Sequence, residues 1–320
     1  DVRIVRSVVD AMDPYTDFEA FLAAARDEEL RFVVSNTTEA GIALNEGDRL
    51  EDAPPASFPA KVTRLLWERY RALGGRAGTG LIFLPCELID GNGRQLEACV
   101  REMARRWALG DGFMAYLERE NVFCSTLVDR IVTGYPREEA SALCVELGYE
   151  DALIDTGEPF GLWVIEGPES VAEQFPLDKA GCPVVFTRDV TPYRTRKVRM
   201  LNGAHTTIVC AGYLAGLDTV RDCMMDEQMR AFLTRALYGE IMDQLPLERA
   251  DLEAFAQAGA VRESVQPAHA ALHRAEQRQQ IHRPRIAQHQ GLPRGKGPPA
   301  PVPVVGPGGA DRLLPRRQSG

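Results

Sequence analysis

The chain has 320 residues, 45% of them hydrophobic and 26% charged, and a net charge of −9, enough for one large or two ordinary domains with a sizeable core. The acidic balance argues against nucleic acid as the main partner, because phosphate binding needs clustered Lys and Arg, and no apolar run approaches the ~20 residues of a membrane span. Seven cysteines at wide, irregular spacings, without a CxxC pair, indicate neither a zinc site nor a redox motif; they suit reduced, mostly buried thiols in a cytoplasmic protein.

The N-terminus, DVRIVRSVVDAMD, has neither the charged start nor the apolar core of a signal peptide. It lacks an initiator methionine and opens on VRIVRSVV, which reads as a buried strand, so the natural start is expected upstream. DFEAFLAAARDEEL then has apolar residues at helical spacing and an acidic first turn. RFVVSN reads as a second strand, FPAKVTRLLWERYRAL as a long helix, GLIFLPCELI as a strand and RQLEACVREMARRWA as a helix. This alternation with short connections predicts a parallel, doubly wound α/β sheet.

From about Pro192 the pattern becomes helical without intervening strands, through TRKVRMLNGAHTTIVCAGYLAG, MMDEQMRAFLTRALYGEIMDQL and LERADLEAFAQAGA. The predicted organisation is therefore a partial Rossmann-like domain over 1–191 and the start of a mainly helical domain over 192–262. A tail over 263–320 completes it. From Ser264 onward there are 9 prolines, 9 Lys or Arg, 2 acidic residues and no aromatic residue. Such a segment cannot build a core and reads as disordered.

Four stretches carry chemistry. GGRAGTG at 74–80 is a weak nucleotide signal, because a helix precedes and a strand follows it, the reverse of the phosphate-binding order. VSNTTEAGI at 34–42 follows a strand, where doubly wound sheets bind ligands. Asn36, Thr37, Thr38 and Glu39 would present polar groups there, although on local physics alone a capped turn, with Thr38 and Glu39 at a helix start, explains them slightly better. CELIDGNG at 86–93 ends the next strand, with Asn92-Gly93 as a turn dipeptide. FCSTLVDRIVTGYP at 123–136 contains Asp129-Arg130, a pair of the type that is more often structural than catalytic. Finally, Lys197, Asn202 and His205 fall within nine residues, and His205 is the only histidine before residue 264. At about 100° per residue Asn202 lies about 140° round a helix from Lys197, and His205 about 80°. Each residue alone is an ordinary helix surface. Together they could interconvert an alcohol and a ketone: a lysine as proton donor and acceptor, an asparagine amide for the oxyanion, a histidine for a neighbouring hydroxyl.

These blocks together resemble the polyol-specific long-chain dehydrogenases, the mannitol dehydrogenase family. Lys197, Asn202 and His205 match its K-x4-N-x2-H pattern, STLVDRIV at 125–132 its S-x-V-D-R-I signature, and LWVIEGP at 162–168 its W-V-I-E segment. Over residues 1–262, SNTTEAGI, LPCELIDGNG, FCSTLVDRIVTGYP and LNGAHT look closest to the branch that interconverts D-tagaturonate and D-altronate in hexuronate breakdown. The resemblance implies NAD-dependent, metal-free hydride transfer on a small sugar acid. It makes Lys197 the acid/base, Asn202 and Asn92 the oxyanion holders and His205 a hydroxyl ligand, with the Asn36–Glu39 loop at the nicotinamide end. The family's C-D-N-L-x-x-N-G is only partly kept, since Leu88 stands at the earlier asparagine position. Fructuronate or mannitol-type polyols are the rival substrates.

Two departures accompany the resemblance. The family's Gly-rich phosphate loop would lie upstream of Asp1. The family's N-P-x-x-x-H continuation is replaced by SVQPAHAALHRAEQRQQIHRP, which a one-base shift of reading frame near residues 263–265 would explain. An inactive fragment is therefore the reading from a different class, and a basic-tailed nucleic-acid binder ranks last.

Overall fold

The structure, a computed structural model, describes residues 3–265. They belong to one compact unit. In chain order it comprises α1 (Phe18–Ala25), β1 (Phe32–Ser35), α2 (Phe58–Leu73), β2 (Ile82–Pro85), α3 (Asn92–Arg106), α4 (Asp111–Glu120), β3 (Val122–Phe123) and β4 (Ser125–Asp129). There follow β5 (Val132–Gly134), α5 (Ala140–Leu147), β6 (Thr156–Gly157), β7 (Leu162–Glu166), α6 (Glu169–Gln174) and β8 (Val184–Thr187). The helical part has α7 (Thr191–Arg196), a π-helical segment Lys197–Asn202, α8 (Gly203–Leu214), α9 (Val220–Met225), α10 (Glu227–Ala236) and α11 (Arg249–Val265).

Local chemistry accounts for the helix ends. The Asp17 carboxylate accepts from Ala20 N at 2.9 Å and starts α1. The Ser57 hydroxyl caps α2, Pro59 occupies its first turn, and Gly74 ends it in a left-handed conformation at φ 66°. GGRAGTG is thus the turn between α2 and β2, on the amino edge of the sheet.

β1, β2 and β3 form a parallel sheet in that order. Successive residues of β2 enter different cores, as the twofold period of a strand requires. Leu81, just before the strand, and Phe83 pack with Leu66, Val100 and Phe113 under α2, α3 and α4. Ile82 and Leu84 pack with Ile165, Trp163 and Phe175 on the other side. Both faces are covered, which is why β2 is apolar throughout rather than alternating. After Cys124 the chain leaves this sheet and enters a second one, in which β4 pairs antiparallel with β7 and β7 pairs parallel with β8. The buried Cys124 marks that switch. Gly93 sits against it: a Cβ there would lie 2.2 Å from the Cys124 carbonyl oxygen, so only glycine lets α3 approach this closely.

Several expectations are corrected. VRIVRSVV does not form a strand: the described residues 3–13 have no regular structure, and Val9 is 95% exposed. A β-branched run makes a strand only beside another strand. The second sheet is mixed, since β4 and β7 are antiparallel. No helix follows Glu39; the chain runs through turns as far as α2. Cys99, Cys124 and Cys223 are buried, but Cys182 and Cys210 are exposed. The expected tail lies outside the described residues from 266 onward, and α11 runs as far as Val265. Among the described residues no helix is long and apolar enough to cross a membrane.

Candidate active site

β3 runs parallel to β2, and β4 continues in the same direction, so β1, β2 and β4 all end on one edge of the molecule. Hydrogen bonds join those ends. Beyond β2, the buried Glu87 carboxylate accepts from Ser35 Oγ at 3.0 Å and from Thr37 Oγ1 and N at 2.9 and 3.2 Å. This ties the loop after β1 to the loop after β2. Thr37 therefore spends its hydroxyl and amide on Glu87, while Asn36, Thr38 and Glu39 remain exposed on the same loop.

Asn92 is the next link, and it is fully buried at 0% exposure. Its Nδ2 donates to the carbonyls of Pro85, Glu87 and Thr126 at 2.9, 3.0 and 3.1 Å. Its Oδ1 accepts from Gly93 N and Thr126 N at 2.9 and 2.8 Å. The left-handed residue is Gly91, at φ 61°, and Asn92 itself begins α3. Every donor and acceptor of the amide is thus used to lock β2, α3 and β4 together. In this arrangement the amide has no N–H left to offer a substrate for the oxyanion role expected of Asn92.

Lys197 meets the same edge from the helical side. Its Nζ donates to the Val128 carbonyl at 2.9 Å and stands 3.6 Å from Asp129 Oδ1. The two side chains are 17% and 5% exposed. Asp129 therefore faces Lys197 rather than its neighbour in sequence, because the Arg130 guanidinium donates to the carbonyls of Phe160 and Pro159. Other charged contacts flank the joint. Arg194 pairs with Asp90, and Arg94 pairs with Glu166, whose second oxygen accepts from Val190 N at 2.9 Å. Arg196, beside Lys197, lies over the Phe255 ring at 4.4 Å, and burial holds its guanidinium below its ordinary pKa.

The segment from Lys197 to Asn202 is π-helical, the i→i+5 form that often marks functional positions. Such a ladder returns the fifth residue toward the starting face. It brings Asn202 nearer Lys197 than the 140° separation of an α-helix. Asn202 is exposed and His205 half-buried. His205 also lines a cavity of about 180 Å³ in the helical part, with Met200, Ile208, Arg230, Leu233 and Phe255. Neither Lys197 nor Asn202 lines it. The structure thus brings Lys197, Asp129 and the loops after β1 and β2 to one edge.

A mannitol dehydrogenase Rossmann domain matches residues 1–179, and a mannitol dehydrogenase C-terminal domain matches residues 189–262. The chain belongs to the mannitol dehydrogenase family. Over 258 residues it is 52% identical to an altronate oxidoreductase of Klebsiella pneumoniae (strain 342) and 50% identical to one of Escherichia coli O9:H4 (strain HS). Each alignment covers 81% of this chain and 53% of the relative, so the chain spans about half the length of these curated relatives. Among solved structures, substrate-free D-sorbitol dehydrogenase is similar at a TM-score of 0.65 and 27% identity, over 78% of this chain and 53% of that one. Mannitol 2-dehydrogenase of Pseudomonas fluorescens, in a ternary complex with NAD and D-mannitol, shares the fold at a TM-score of 0.59 and 24% identity. That likeness covers 81% of this chain and 54% of the other.

Sequence reasoning missed Glu87 and the Lys197 contacts of this mannitol dehydrogenase relative. The signal for Glu87 was an acidic residue at the end of an otherwise apolar strand, where burial demands partners. Val128 and Asp129 lie in the family's V-D-R-I block, where the expected structural pair of Asp129 with Arg130 is not formed: Arg130 donates to two carbonyls and Asp129 faces Lys197.

Proposed function

We propose that this chain carries the catalytic core of an NAD-dependent oxidoreductase that interconverts D-tagaturonate and D-altronate, with Lys197 as proton donor and acceptor. The observation that carries this reading is the Lys197 ammonium, fixed by the Val128 carbonyl and Asp129 at the carboxyl edge of the sheet. The name of the 50–52% identical relatives supplies altronate, and the motif resemblance supplies tagaturonate as its ketone partner.

NAD, when bound, supplies or removes the hydride. The residues present fit its nicotinamide end: an exposed polar loop, Asn36, Thr38 and Glu39, held in place by the Thr37–Glu87 contacts. The described residues hold no glycine loop for its phosphates, since GGRAGTG sits on the opposite edge. In the reducing direction Lys197 hands a proton to the oxygen of the ketone as its carbon becomes tetrahedral. In the other direction Lys197 takes the hydroxyl proton, and Asp129 balances the charge it gains. The exposed Asn202 amide, on the face of the π-helical segment toward Lys197, stabilises the oxyanion. His205 orients a substrate hydroxyl.

Two measurements test the reading. NADH titration of the full chain, followed by fluorescence, gives saturable binding; no binding supports the inactive-fragment alternative. With NADH bound, tagaturonate is consumed, and Lys197→Met lowers that rate at least about 100-fold. An undiminished rate in the variant removes Lys197 from the mechanism. Faster turnover of fructose than of tagaturonate would favour the polyol substrates suggested by the D-sorbitol dehydrogenase likeness.

A further inference from the structure

Arg196 stands apart from the arginines around it. Arg94 is paired with Glu166 and Arg194 with Asp90, and Arg130 is spent on two carbonyls. Arg196 has none of these partners. Its Nε is buried, yet no acceptor among the described residues lies within hydrogen-bonding reach of it. Asp129 and Asp251 act on its charge from a distance, without a hydrogen bond to it. Its guanidinium is nevertheless held firmly, 4.4 Å from the centre of the Phe255 ring and 5.4 Å from that of Tyr193.

Stacking on aromatic rings accounts for the position of the cation, but it engages only the face of the guanidinium. The N–H groups lie in the plane, pointing outward from its rim. A buried donor left unmade is costly, and such exceptions in folded proteins call for an explanation. A planar guanidinium held between rings, giving no hydrogen bond to any described residue, suits one ligand best: a carboxylate that accepts two parallel hydrogen bonds from its terminal N–H groups. Neighbours in sequence do not share a helix face, but Asp129, 3.6 Å from the Lys197 ammonium, also acts on the Arg196 charge, so an anion held at Arg196 lies on the same side of the site as the proton donor.

We propose that Arg196 receives the carboxylate of the substrate and thereby selects sugar acids over neutral polyols. This rests on the oxidoreductase reading above and deepens it. An open-chain keto acid presents its ketone to Lys197 and its carboxylate to Arg196. A neutral polyol leaves the guanidinium rim unmet. The burial that depresses the Arg196 pKa strengthens the preference, because a desolvated cation gains more from an anionic partner.

Calorimetric titration of the full chain, in the presence of NADH, with D-altronate and with D-altritol tests the assignment. The two ligands share a carbon skeleton and differ in a carboxylate against a hydroxymethyl group. The parent chain binds altronate about 10- to 100-fold more tightly than altritol, the range of a charge-assisted hydrogen-bonded pair. Arg196→Met binds altronate no more than about threefold better than altritol. Arg196→Lys keeps the charge but loses the fork, and its preference falls between the two. Should Arg196→Met fail to fold by circular dichroism, the parent and Arg196→Lys comparison decides alone. Equal affinities for the two ligands in the parent, or a preference undiminished in Arg196→Lys or Arg196→Met, overturn the role of Arg196 only. A parent chain that binds neither NADH nor either ligand overturns the oxidoreductase reading, and this inference with it.

Discussion

Replacing Asn92 with aspartate separates two roles for one residue at almost no change in size. The carboxylate keeps the oxygen that accepts from Gly93 N and Thr126 N. Its second oxygen takes the place of the amide nitrogen, which now donates to three carbonyls 2.9 to 3.1 Å away. Two N–H donors are lost, and an acceptor faces acceptors in a fully buried site. Each buried carbonyl left without its donor costs about 1–3 kcal/mol. The Pro85 carbonyl keeps the Thr126 hydroxyl and the Glu87 carbonyl keeps Ile89 N, so the loss falls on the Thr126 carbonyl and the new carboxyl oxygen, and the penalty comes to about 2–6 kcal/mol. That is a large share of the ~5–15 kcal/mol by which domains are stable. At about 2–4 °C per kcal/mol for a chain of this size, the melting temperature falls by roughly 10 °C.

A pH signature accompanies the loss. Burial among carbonyls raises the pKa of the new carboxyl above the ~3.9 of an unfolded aspartate. A raised folded pKa means that stability is retained below the unfolded value and lost as pH climbs through the folded one. The gap between parent and Asn92→Asp therefore widens from about pH 4 upward. Urea denaturation followed by circular dichroism, at several pH values, measures both effects. A variant with the parental midpoint, impaired only in hydride transfer, would refute the brace and return Asn92 to the oxyanion role.

Arg69→Leu acts on another buried brace. This guanidinium donates to the carbonyls of Thr79, Ala25, Asp27 and Leu30. The Thr79 carbonyl keeps the Tyr116 hydroxyl and the Asp27 carbonyl keeps Leu30 N, so the Ala25 and Leu30 carbonyls lose their donor, at a cost of about 2–6 kcal/mol; an unchanged denaturation midpoint contradicts this. Glu87→Ala removes the acceptor of Ser35 and Thr37, destabilises the chain by about 1–3 kcal/mol and speeds amide exchange at Thr37. Glu87→Gln keeps one carbonyl oxygen for Thr37 and is milder, and the reverse order is the refuting result. Burial pushes the Cys86 and Cys124 thiols up to about 11 and about 12, so iodoacetamide at pH 8 labels the exposed Cys182 and Cys210 first, as mass spectrometry reads. Their unfolded forms ionise first as pH rises past about 8.5, so the stability they contribute is lost between there and pH 12. Labelling of Cys124 as fast as Cys182 in the folded chain contradicts the burial.

What the sequence made legible is what neighbouring residues decide. α2 was readable because Ser57, Pro59 and Gly74 mark its ends and its apolar residues share one stripe. β2 was readable because an unbroken apolar run between turn residues fits a strand covered on both faces. VRIVRSVV misled for the complementary reason: its composition suits a strand, but a strand is a property of a pair, and no partner among the described residues meets it. The same limit explains Asn92. Asn-Gly is locally a turn, and nothing nearby announces that Thr126, 34 residues on, completes its hydrogen bonds.

The lysine stretch shows how a spacing can carry more than the period used to read it. Taken at 100° per residue, Lys197 and Asn202 diverge, and the shared-face argument rests on a broad arc. Their separation of five is the repeat of an i→i+5 ladder, and the chain is π-helical over those residues. The pattern K-x4-N therefore suits a π turn better than an α-helix, and the α-helical assumption hid that. The Lys197 partner was beyond any local reading, since Val128 lies 69 residues away. The link between them is physical: a half-buried ammonium needs acceptors, and the end of β4 provides a carbonyl and a carboxylate. A lysine on a packed helix and an aspartate ending a buried strand each need a partner that the local sequence does not supply. The fold meets both needs at once, by setting Asp129 3.6 Å from the Lys197 ammonium.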